Sequence, residues 1–428
     1  MGLRPTNENE TLLPPVIPST ARIYFPIHRR SKFLVPVLLG MTGLLATRPA
    51  GNTGFMRVSP GSGYQFAFAG ETQEQEDFFA EARRYEQAGD LKGAEKAYAQ
   101  YLQKYPGSAQ AHANLGVVYA HEARFDLAVD EYRTALKLDP SLRSVYLDLG
   151  IAYFRQSQFE TATTPLEKFL SAETASVQAR TLLGLCYTQL GRHDEAVRML
   201  APLRSSGDPA VLLNLGASYV RLGQMQEART VLERLLSSGA ASSPRLNFLL
   251  GQTYVGLNQY PQSLKAFEAV YALDPQWPHI DYLLGGVEAR LGRFEDAERH
   301  LRKEIRRDPV GFEANFVLGA LLSKEAKYNE AIPFLERAVK ANPRNSEALY
   351  ELGRAHWKAG MTREAAEEAR AAVQRDPDNR LAHYLLAQIA KQAGEQQTAQ
   401  REFSTAASLS KKESARDVFR SSALSQKP

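Results

Sequence analysis

Residues 348–377, ALYELGRAHWKAGMTREAAEEARAAVQRDP, decide the fold. Their apolar residues recur at three- and four-residue steps in two segments, which is the period of an amphipathic α-helix. A glycine, Gly353, nevertheless lies inside the first segment, where it costs about 1 kcal/mol of helix stability relative to alanine. The stretch ends at Pro377, and a proline cannot continue a helix. Local helix propensity alone explains neither the glycine nor the proline.

Gly353 belongs to a series of small residues with a period near 34. Read upstream, the series steps by 34 residues three times and then by 35, 32, 34 and 34. Its members are Ala82, Gly116, Gly150, Gly184, Gly216, Gly251, Gly285, Gly319, Gly353 and Ala387. A fixed period of this length indicates a stacked repeat architecture.

Other residue types recur in phase with this series. A leucine precedes each glycine, and a tyrosine often follows three residues later, although Glu288 and His356 take that place in two units. Small residues follow twelve positions after the glycine: Ala128, Ala162, Ala196, Ala228, Ser263, Ala297, Ala331 and Ala365. Large apolar residues come four positions later: Tyr132, Leu166, Leu200, Leu232, Phe267, Leu301 and Leu335. Closing prolines stand at Pro106, Pro140, Pro275, Pro309, Pro343 and Pro377.

The pattern predicts a helical hairpin that repeats along the chain. Both halves of the unit have the helix period, and a turn that often contains glycine separates them. Small side chains let the two helix backbones approach closely, so that packing offsets the local cost of the glycine. The closing proline pushes the residue before it out of the helical region and ends the unit.

This pattern resembles the tetratricopeptide repeat, a 34-residue helix–turn–helix unit. The leucine–glycine pair, the aromatic residue, the alanine, the large apolar residue and the closing proline occur in the order of that family. We count ten copies, which begin at Gln75, Ala109, Arg143, Val177, Pro209, Pro244, Pro278, Phe312, Ser346 and Arg380. The resemblance implies an all-α fold over residues 75–413, a right-handed superhelical solenoid of antiparallel helix pairs.

The ends of the chain differ from the repeats. Residues 1–48 carry a basic cluster followed by fifteen uncharged residues over 33–47, a length typical of a secretory signal. We therefore expect export to a bacterial periplasm, with a membrane anchor formed by residues 33–47, or a cytoplasmic chain, as alternatives. Residues 49–74 predict a flexible linker, and residues 414–428 predict a disordered tail.

The charge distribution and the cysteine content argue against nucleic-acid binding by the repeats and against a disulfide-stabilised fold. The net charge of +4 comes from residues 1–70, whereas the 45 basic and 46 acidic residues of the remainder nearly cancel. Bulk charge therefore does not predict nucleic-acid binding by the repeats. The single cysteine, Cys186, cannot form an intramolecular disulfide and is interpreted as a small core residue, with a reactive thiol as the alternative.

The sequence contains none of the common catalytic motifs. Its eight histidines are scattered and form no HExxH pair, and no GxxxxGK[ST] phosphate loop or GxSxG elbow occurs. The repeats account for nearly all the sequence that is expected to be ordered. We therefore predict a protein that is not an enzyme and uses no metal or cofactor.

The resemblance implies that the first helices of the repeats line a concave groove. Its variable positions are the second, fifth, ninth, twelfth and thirteenth of each unit. The fifth positions of the later repeats are aromatic: Phe248, Tyr282, Phe316, Tyr350 and Tyr384. The neighbouring positions hold Arg290, Lys324, Arg354, Trp357, Lys358 and Lys391. Aromatic side chains dominate binding hot spots, and basic ones would suit an extended segment that carries carboxylates.

Alternatives stay open at each of these positions. The aromatic side chains can also pack against the next repeat, and the basic ones can form a solvated rim. A second-helix stripe, Arg302, Lys303, Arg306 and Arg307, is expected to face solvent. We expect an adaptor that binds an acidic peptide or a helix of a partner protein, does not bind nucleic acid, and meets a membrane only through an uncleaved leader. A secretion helper that binds a polymer, and a self-associating scaffold, are the alternatives.

Overall fold

The chain is α-helical throughout the part described by a computed structural model, residues 73–238 and 243–425. The expected leader and nearly all of the expected linker lie outside those residues. The described residues contain twenty α-helices, one short 3-10 helix and no strand. They divide into two compact units, one ending at Leu257 and the other beginning at Asn258. The prediction of an all-α solenoid of tandem helix pairs is confirmed.

The N-terminal unit contains eleven α-helices. They are α1 (Gln73–Gln87), α2 (Leu91–Lys104), α3 (Ala109–His121), α4 (Phe125–Leu138), α5 (Arg143–Arg155), α6 (Phe159–Ala172), α7 (Val177–Gln189), α8 (His193–Leu200), α9 (Pro209–Arg221), α10 (Met225–Ser237) and α11 (Pro244–Gly256). The 3-10 helix Ala201–Leu203 follows α8 directly. Pro202 lies in this segment, and it cannot donate the backbone hydrogen bond that would continue α8.

The C-terminal unit contains nine helices. They are α12 (Tyr260–Leu273), α13 (Ile280–Arg290), α14 (Phe294–Arg307), α15 (Phe312–Lys324), α16 (Tyr328–Ala341), α17 (Ser346–Lys358), α18 (Thr362–Arg375), α19 (Arg380–Gln392) and α20 (Gln396–Ser425). The last helix continues past residue 414, where the sequence predicted a disordered tail. Its residues up to Ser425 include many helix formers and no glycine or proline, which favours continuation.

Within each unit, every helix packs against the next one in the chain. The first helices of successive repeats also contact one another, as α13 does α15 and α15 does α17. These first helices therefore lie on the more tightly packed side of each unit. None of the described helices is long and apolar enough to cross a membrane.

In six hairpins the recurring glycine faces the large apolar residue sixteen positions later. A Cβ atom at Gly319 would lie 2.5 Å from Leu335 Cγ, and one at Gly285 would lie 2.7 Å from Leu301 Cγ. The same facing pairs are Gly116 with Tyr132, Gly150 with Leu166, Gly184 with Leu200 and Gly216 with Leu232. The glycine thus makes room for a bulky side chain of the second helix, which explains why a helix interior tolerates it.

Gly353 is an exception among these glycines. Its counterpart sixteen positions later is Ala369, so a Cβ atom would meet nothing closer than Ala365 O at 3.2 Å. The glycine of the opening sequence is therefore less crowded than those six glycines.

The turn inside each hairpin has one recurring geometry along the chain, with a residue in the left-handed region. Glycine occupies this position at Gly89, Gly191, Gly223, Gly292, Gly360 and Gly394, and other residues at Ala123, Ser157, Asn258 and Ala326. The next residue then bonds back to the first helix, as Arg124 N does to Tyr119 O at 2.9 Å. This is the Schellman arrangement that ends helices, and it sets the direction of the second helix.

Two repeats that lack the usual tyrosine replace it with a hydrogen-bonded histidine–glutamate pair between their helices. Glu288 on α13 accepts from His300 Nδ1 on α14 at 2.7 Å, and His356 on α17 faces Glu368 on α18 at the same distance. The acid and the histidine have exchanged positions between the two hairpins. Each residue that replaces the tyrosine therefore has a partner on the second helix of its own hairpin.

Cys186 lies in the core of α7 with no exposed surface. Burial raises the pKa of its thiol to about 12. Because the thiolate is the reactive form, the structure favours the core interpretation over the reactive thiol.

A histidine in the N-terminal unit gives the stability of this region a defined pH dependence. His112 Nδ1 lies 2.6 Å from Glu131 Oε2, and its Nε2 lies 3.2 Å from Pro106 O. Both partners are acceptors, so only the protonated ring donates to both. The hydrogen bond to Glu131 raises the pKa of His112.

We expect this pair to stabilise the fold in acid and to lose that contribution as pH rises. A folded-state pKa above the unfolded value means that the contribution is complete below about pH 6.5 and disappears through the raised pKa. His112→Gln should therefore cost about 1–2 kcal/mol at pH 6 and less at pH 9. Melting curves followed by circular dichroism at both pH values measure the difference, with exposed His121→Gln as the control. An equal loss at both pH values would contradict the assignment.

Candidate functional site

The five predicted aromatic residues do not form one exposed stripe. Tyr282 on α13 is 3% exposed and Phe316 on α15 is 8% exposed, so both are core residues of the C-terminal unit. The Phe316 ring stacks on that of Phe312, with centroids 5.5 Å apart. For these two positions the structure supports packing between repeats and not an open contact surface.

The other three aromatic residues are more accessible. Phe248 on α11 is half-buried and belongs to the N-terminal unit. Tyr350 on α17 is half-buried against a cluster that includes Leu385 and Ile389, and burial raises its pKa to about 12. Tyr384 on α19 is 47% exposed, with its ring edge-to-face against Phe403 at 5.5 Å.

Four of the five predicted basic residues have partners within the fold, and Arg354 has the strongest. Arg354 donates to Glu351 Oε2 at 2.5 and 3.0 Å, and this carboxylate is 2% exposed. Burial raises the pKa of Glu351, and Arg354 opposes that shift. Much of the positive charge of Arg354 is therefore balanced inside the repeat.

Cation–π contacts hold three of the four other predicted basic residues over aromatic rings. Arg290 lies 5.9 Å from the Tyr260 centroid, and Lys324 lies 4.6 Å from that of Phe294. Lys358 Nζ lies 4.7 Å from the ring of Trp357, and both lysines are exposed. These contacts orient the side chains but leave their charges facing solvent.

A hydrogen bond joins the first helices of the last two repeats. Trp357 Nε1 on α17 donates to Gln392 Oε1 on α19 at 3.1 Å, and the indole is half-buried. Lys358, Tyr384, Lys391 and Gln392 are exposed on the same two helices. We call Trp357, Lys358, Tyr384, Lys391 and Gln392 the α17–α19 surface. All of them except Gln392 are among the residues predicted as groove contacts.

The sequence predicts that the stripe on α14 faces solvent; Arg306 and Arg307 are exposed, whereas Arg302 and Lys303 are half-buried. Arg307 Nη1 lies 2.6 Å from Asp281 Oδ2, and Lys303 Nζ lies 3.2 Å from Asp281 Oδ1. Asp281 has no exposed surface. A buried carboxylate needs such partners, which helical periodicity on α14 could not reveal because Asp281 lies on α13.

Sequence reasoning also missed a buried carboxylate, Glu304 on α14, which is 5% exposed. A signal was present in the repeats themselves. The corresponding residues of the other copies are all apolar or aromatic: Tyr101, Ala135, Phe169, Leu203, Leu235, Val270, Ala338, Ala372 and Ala406. A carboxylate at a position that is otherwise apolar in the repeat core indicates a role other than packing.

The described residues offer no ready metal centre. Among them, no group of three or more His, Cys, Asp or Glu side chains is arranged to hold a metal ion.

The chain matches models of repeat families over most of its length, between residues 79 and 389. A model described as tetratricopeptide repeat matches residues 322–389, and a second with that description matches 213–278, 248–312 and 282–345. A third, described as the middle TPR-like domain of cilia and flagella-associated protein 70, matches residues 79–204. No curated protein matches the chain significantly.

Several solved structures are similar to parts of the chain. MamA from Desulfovibrio magneticus RS-1 is 25% identical, covers 40% of this chain and 96% of its own, and has a TM-score of 0.37. A thermophilic TPR protein of Thermus thermophilus is 21% identical, covers 42% and 99%, and has a TM-score of 0.35. A structure titled Naa15/Naa10 bound to HypK-THB is 14% identical, covers 78% and 68%, and has a TM-score of 0.36.

Proposed function

The chain belongs to the tetratricopeptide repeat family and is a scaffold for protein interactions, and we propose that it holds an extended segment of a partner protein against the α17–α19 surface. The proposed role is binding without catalysis. The observation that carries it is the exposed Tyr384 on α19, the helix to which Trp357 is hydrogen-bonded.

The physical case begins with the two aromatic side chains. Tyrosine and tryptophan bring large contact area at a low cost in conformational entropy, and they dominate measured hot spots. The hydrogen bond of Trp357 to Gln392 fixes the indole before a partner arrives. Tyr384 is held at its base by Phe403 and leaves nearly half of its surface open. Such a preorganised pair loses little freedom on binding.

The two lysines of the surface favour a segment that carries carboxylates. Within the described part of the chain, neither Lys358 nor Lys391 forms an ion pair. Lys358 is oriented over the Trp357 ring, so its charge lies beside the proposed aromatic contact. A partner carboxylate would meet uncompensated positive charge at this point, and added salt should weaken that attraction.

We expect Trp357→Ala combined with Tyr384→Ala to reduce partner binding at least about 30-fold, because each is placed as a hot-spot residue. The full chain is used to capture partners from cell extract, and a recovered protein is then titrated against each purified variant by calorimetry. Tyr85→Ala, at a tyrosine 37% exposed in the N-terminal unit, is the matched control and should bind as the native chain does.

Two further measurements show whether a loss of binding is due to the removed side chains and whether charge contributes to it. Circular dichroism must show that the double variant is still folded at the temperature of the titration, because the Trp357 indole is half-buried and its loss can lower the melting midpoint. Binding should also weaken as sodium chloride rises. A partner that binds the folded double variant as tightly as the native chain would refute the proposed surface, and a salt-insensitive polysaccharide ligand would refute the proposed partner class.

A further inference from the structure

A cavity of about 150 Å³ lies at the N-terminal end of α13 and α15, in the C-terminal unit. It is lined by His279, Tyr282, Glu304, Asp308, Gly311, Glu313 and Ala314. Three of the seven lining residues are carboxylates, and one is a histidine. His279 and Tyr282 are the second and fifth residues of the seventh repeat, and Glu313 is the second residue of the eighth. These are positions that the family resemblance assigns to the groove.

Glu304 forms the inner wall of this cavity and has an unfilled bonding position. Its Oε1 lies 2.9 Å from His279 Nδ1. Its Oε2 is buried and receives no hydrogen bond from any residue that the structure describes. A buried carboxylate oxygen without a donor is energetically unfavourable. The arrangement therefore calls for a donor that enters from the cavity.

The carboxylate is a departure from the repeat and not a feature of it. All nine other copies have an apolar or aromatic residue at this point in the second helix, as Val270 and Ala338 show. An apolar residue there would avoid the cost of burying a charge. Repeat packing alone does not account for Glu304.

The backbone around the cavity is also specialised. His279 has φ 59° and ψ 19°, a left-handed conformation that is unfavourable for a residue with a side chain. It places the imidazole against Glu304 immediately before α13 begins. On the opposite side, a Cβ atom at Gly311 would lie 2.6 Å from Asp308 Oδ2. Glycine at 311 thus permits the approach of Asp308 to the cavity.

We propose that this cavity binds the guanidinium group of an arginine side chain from a partner protein. Glu304, Asp308 and Glu313 offer acceptors from different elements, which suits the several donors of a planar guanidinium better than a single ammonium point. The buried Tyr282 closes the base of the cavity beside these acceptors. The inference rests on the proposed function only in that the arginine belongs to a protein partner.

The experiment uses the full chain and a defined probe. The probe is a short acetylated and amidated peptide of glycine and serine with one central arginine, and its matched control replaces arginine with the isosteric, uncharged citrulline. Saturation-transfer NMR on the arginine side-chain protons detects binding in the millimolar range expected for one contact. We expect a signal for the arginine peptide and a signal at least about fivefold weaker for the citrulline peptide.

Two cavity variants test the assignment. Glu304→Gln keeps the shape and should reduce the arginine signal at least about fivefold, and Glu313→Gln, at the half-buried edge, should also reduce it. Glu298→Gln, on the same helix but paired with Arg302 outside the cavity, should leave it unchanged. Equal signals from the arginine and citrulline peptides, or from native and Glu304→Gln chains, would overturn the proposal.

A separate arm distinguishes a protein side chain from a free polyamine. Spermidine should displace the arginine peptide only weakly; displacement at concentrations well below that of the peptide would overturn the assignment to a protein arginine. The Trp357→Ala and Tyr384→Ala chain should retain peptide binding, because the α17–α19 surface does not line the cavity. Loss of partner binding with retained peptide binding, or the reverse, therefore shows which of the two proposals has failed.

Discussion

Replacement of Gly319 by leucine is expected to lower the unfolding free energy of the α15–α16 hairpin by about 3 kcal/mol. The smallest part of any side chain at this position, the Cβ atom, already meets Leu335 Cγ at 2.5 Å. Leu335 has no exposed surface, so it has little freedom to move aside. The two helices must separate to accommodate the new side chain, and the packing of the whole hairpin suffers.

Local hydrogen exchange is the appropriate measurement, because a repeat array need not unfold as one cooperative unit. Amides of α15 and α16 should exchange faster in the Gly319→Leu chain, and the melting midpoint should fall. Gly353→Ala is the matched control. Its new Cβ atom would meet nothing closer than 3.2 Å, so a gain of about 1 kcal/mol in helix propensity nearly cancels the tight contact.

A double substitution tests the cause of the loss. Gly319→Ala and Leu335→Ala together should be less destabilising than the sum of the two single changes. Leu335→Ala removes the atoms that the new Cβ atom at position 319 would meet, and this Cβ atom fills part of the space that Leu335 leaves. Simple additivity, or native exchange rates in the Gly319→Leu chain, would show that glycine and leucine do not face each other as described.

The second large effect is expected at the buried carboxylate of Asp281. Arg307→Met should cost about 3 kcal/mol, because it removes one of two cations from an acid with no exposed surface. Lys303 remains at 3.2 Å and limits the loss. The same substitution removes the hydrogen bond from Arg307 Nη2 to Pro275 O, which ties α14 to the end of the preceding repeat.

Hydrogen exchange of α13 and α14, together with the melting midpoint, measures this effect. Arg306→Met is the matched control at an exposed neighbour and should change stability by less than about 0.5 kcal/mol. Adding Asp281→Leu to Arg307→Met should recover most of the loss, because an apolar pair of similar size needs no charge compensation. If the double variant were less stable than Arg307→Met alone, the pair would not be the source of the stability.

The fold could be predicted from sequence because its determinants are local and repeated. Residues equivalent to Gly319 and Leu335 occur in most repeats. Ten imperfect copies therefore define one period clearly. The αL turn residue follows from the same register. Even Glu288 and His356, which break the tyrosine pattern, are compensated within their own hairpins by His300 and Glu368.

The exposure of individual site residues could not be predicted in the same way. Tyr282 and Tyr384 occupy the same repeat position, yet one is 3% and the other 47% exposed. The first helix of the following repeat packs beside the helix of Tyr282, whereas Tyr384 lies in the tenth and last repeat and contacts Phe403 of its own second helix. Likewise, Arg307 belongs to a basic stripe in sequence but reaches a carboxylate on another helix. Such contacts depend on three-dimensional neighbours and not on periodicity.

The fixed separation of sixteen residues between glycine and its bulky partner constrains how the chain can change in length. Repeat lengths vary, and the shortened α8 with its 3-10 continuation shows where the variation is absorbed. An insertion or deletion between Gly319 and Leu335 would shift every later contact of that hairpin out of register. Added or lost residues are instead tolerated at the joints between hairpins, so those joints are where new loops can be acquired in evolution.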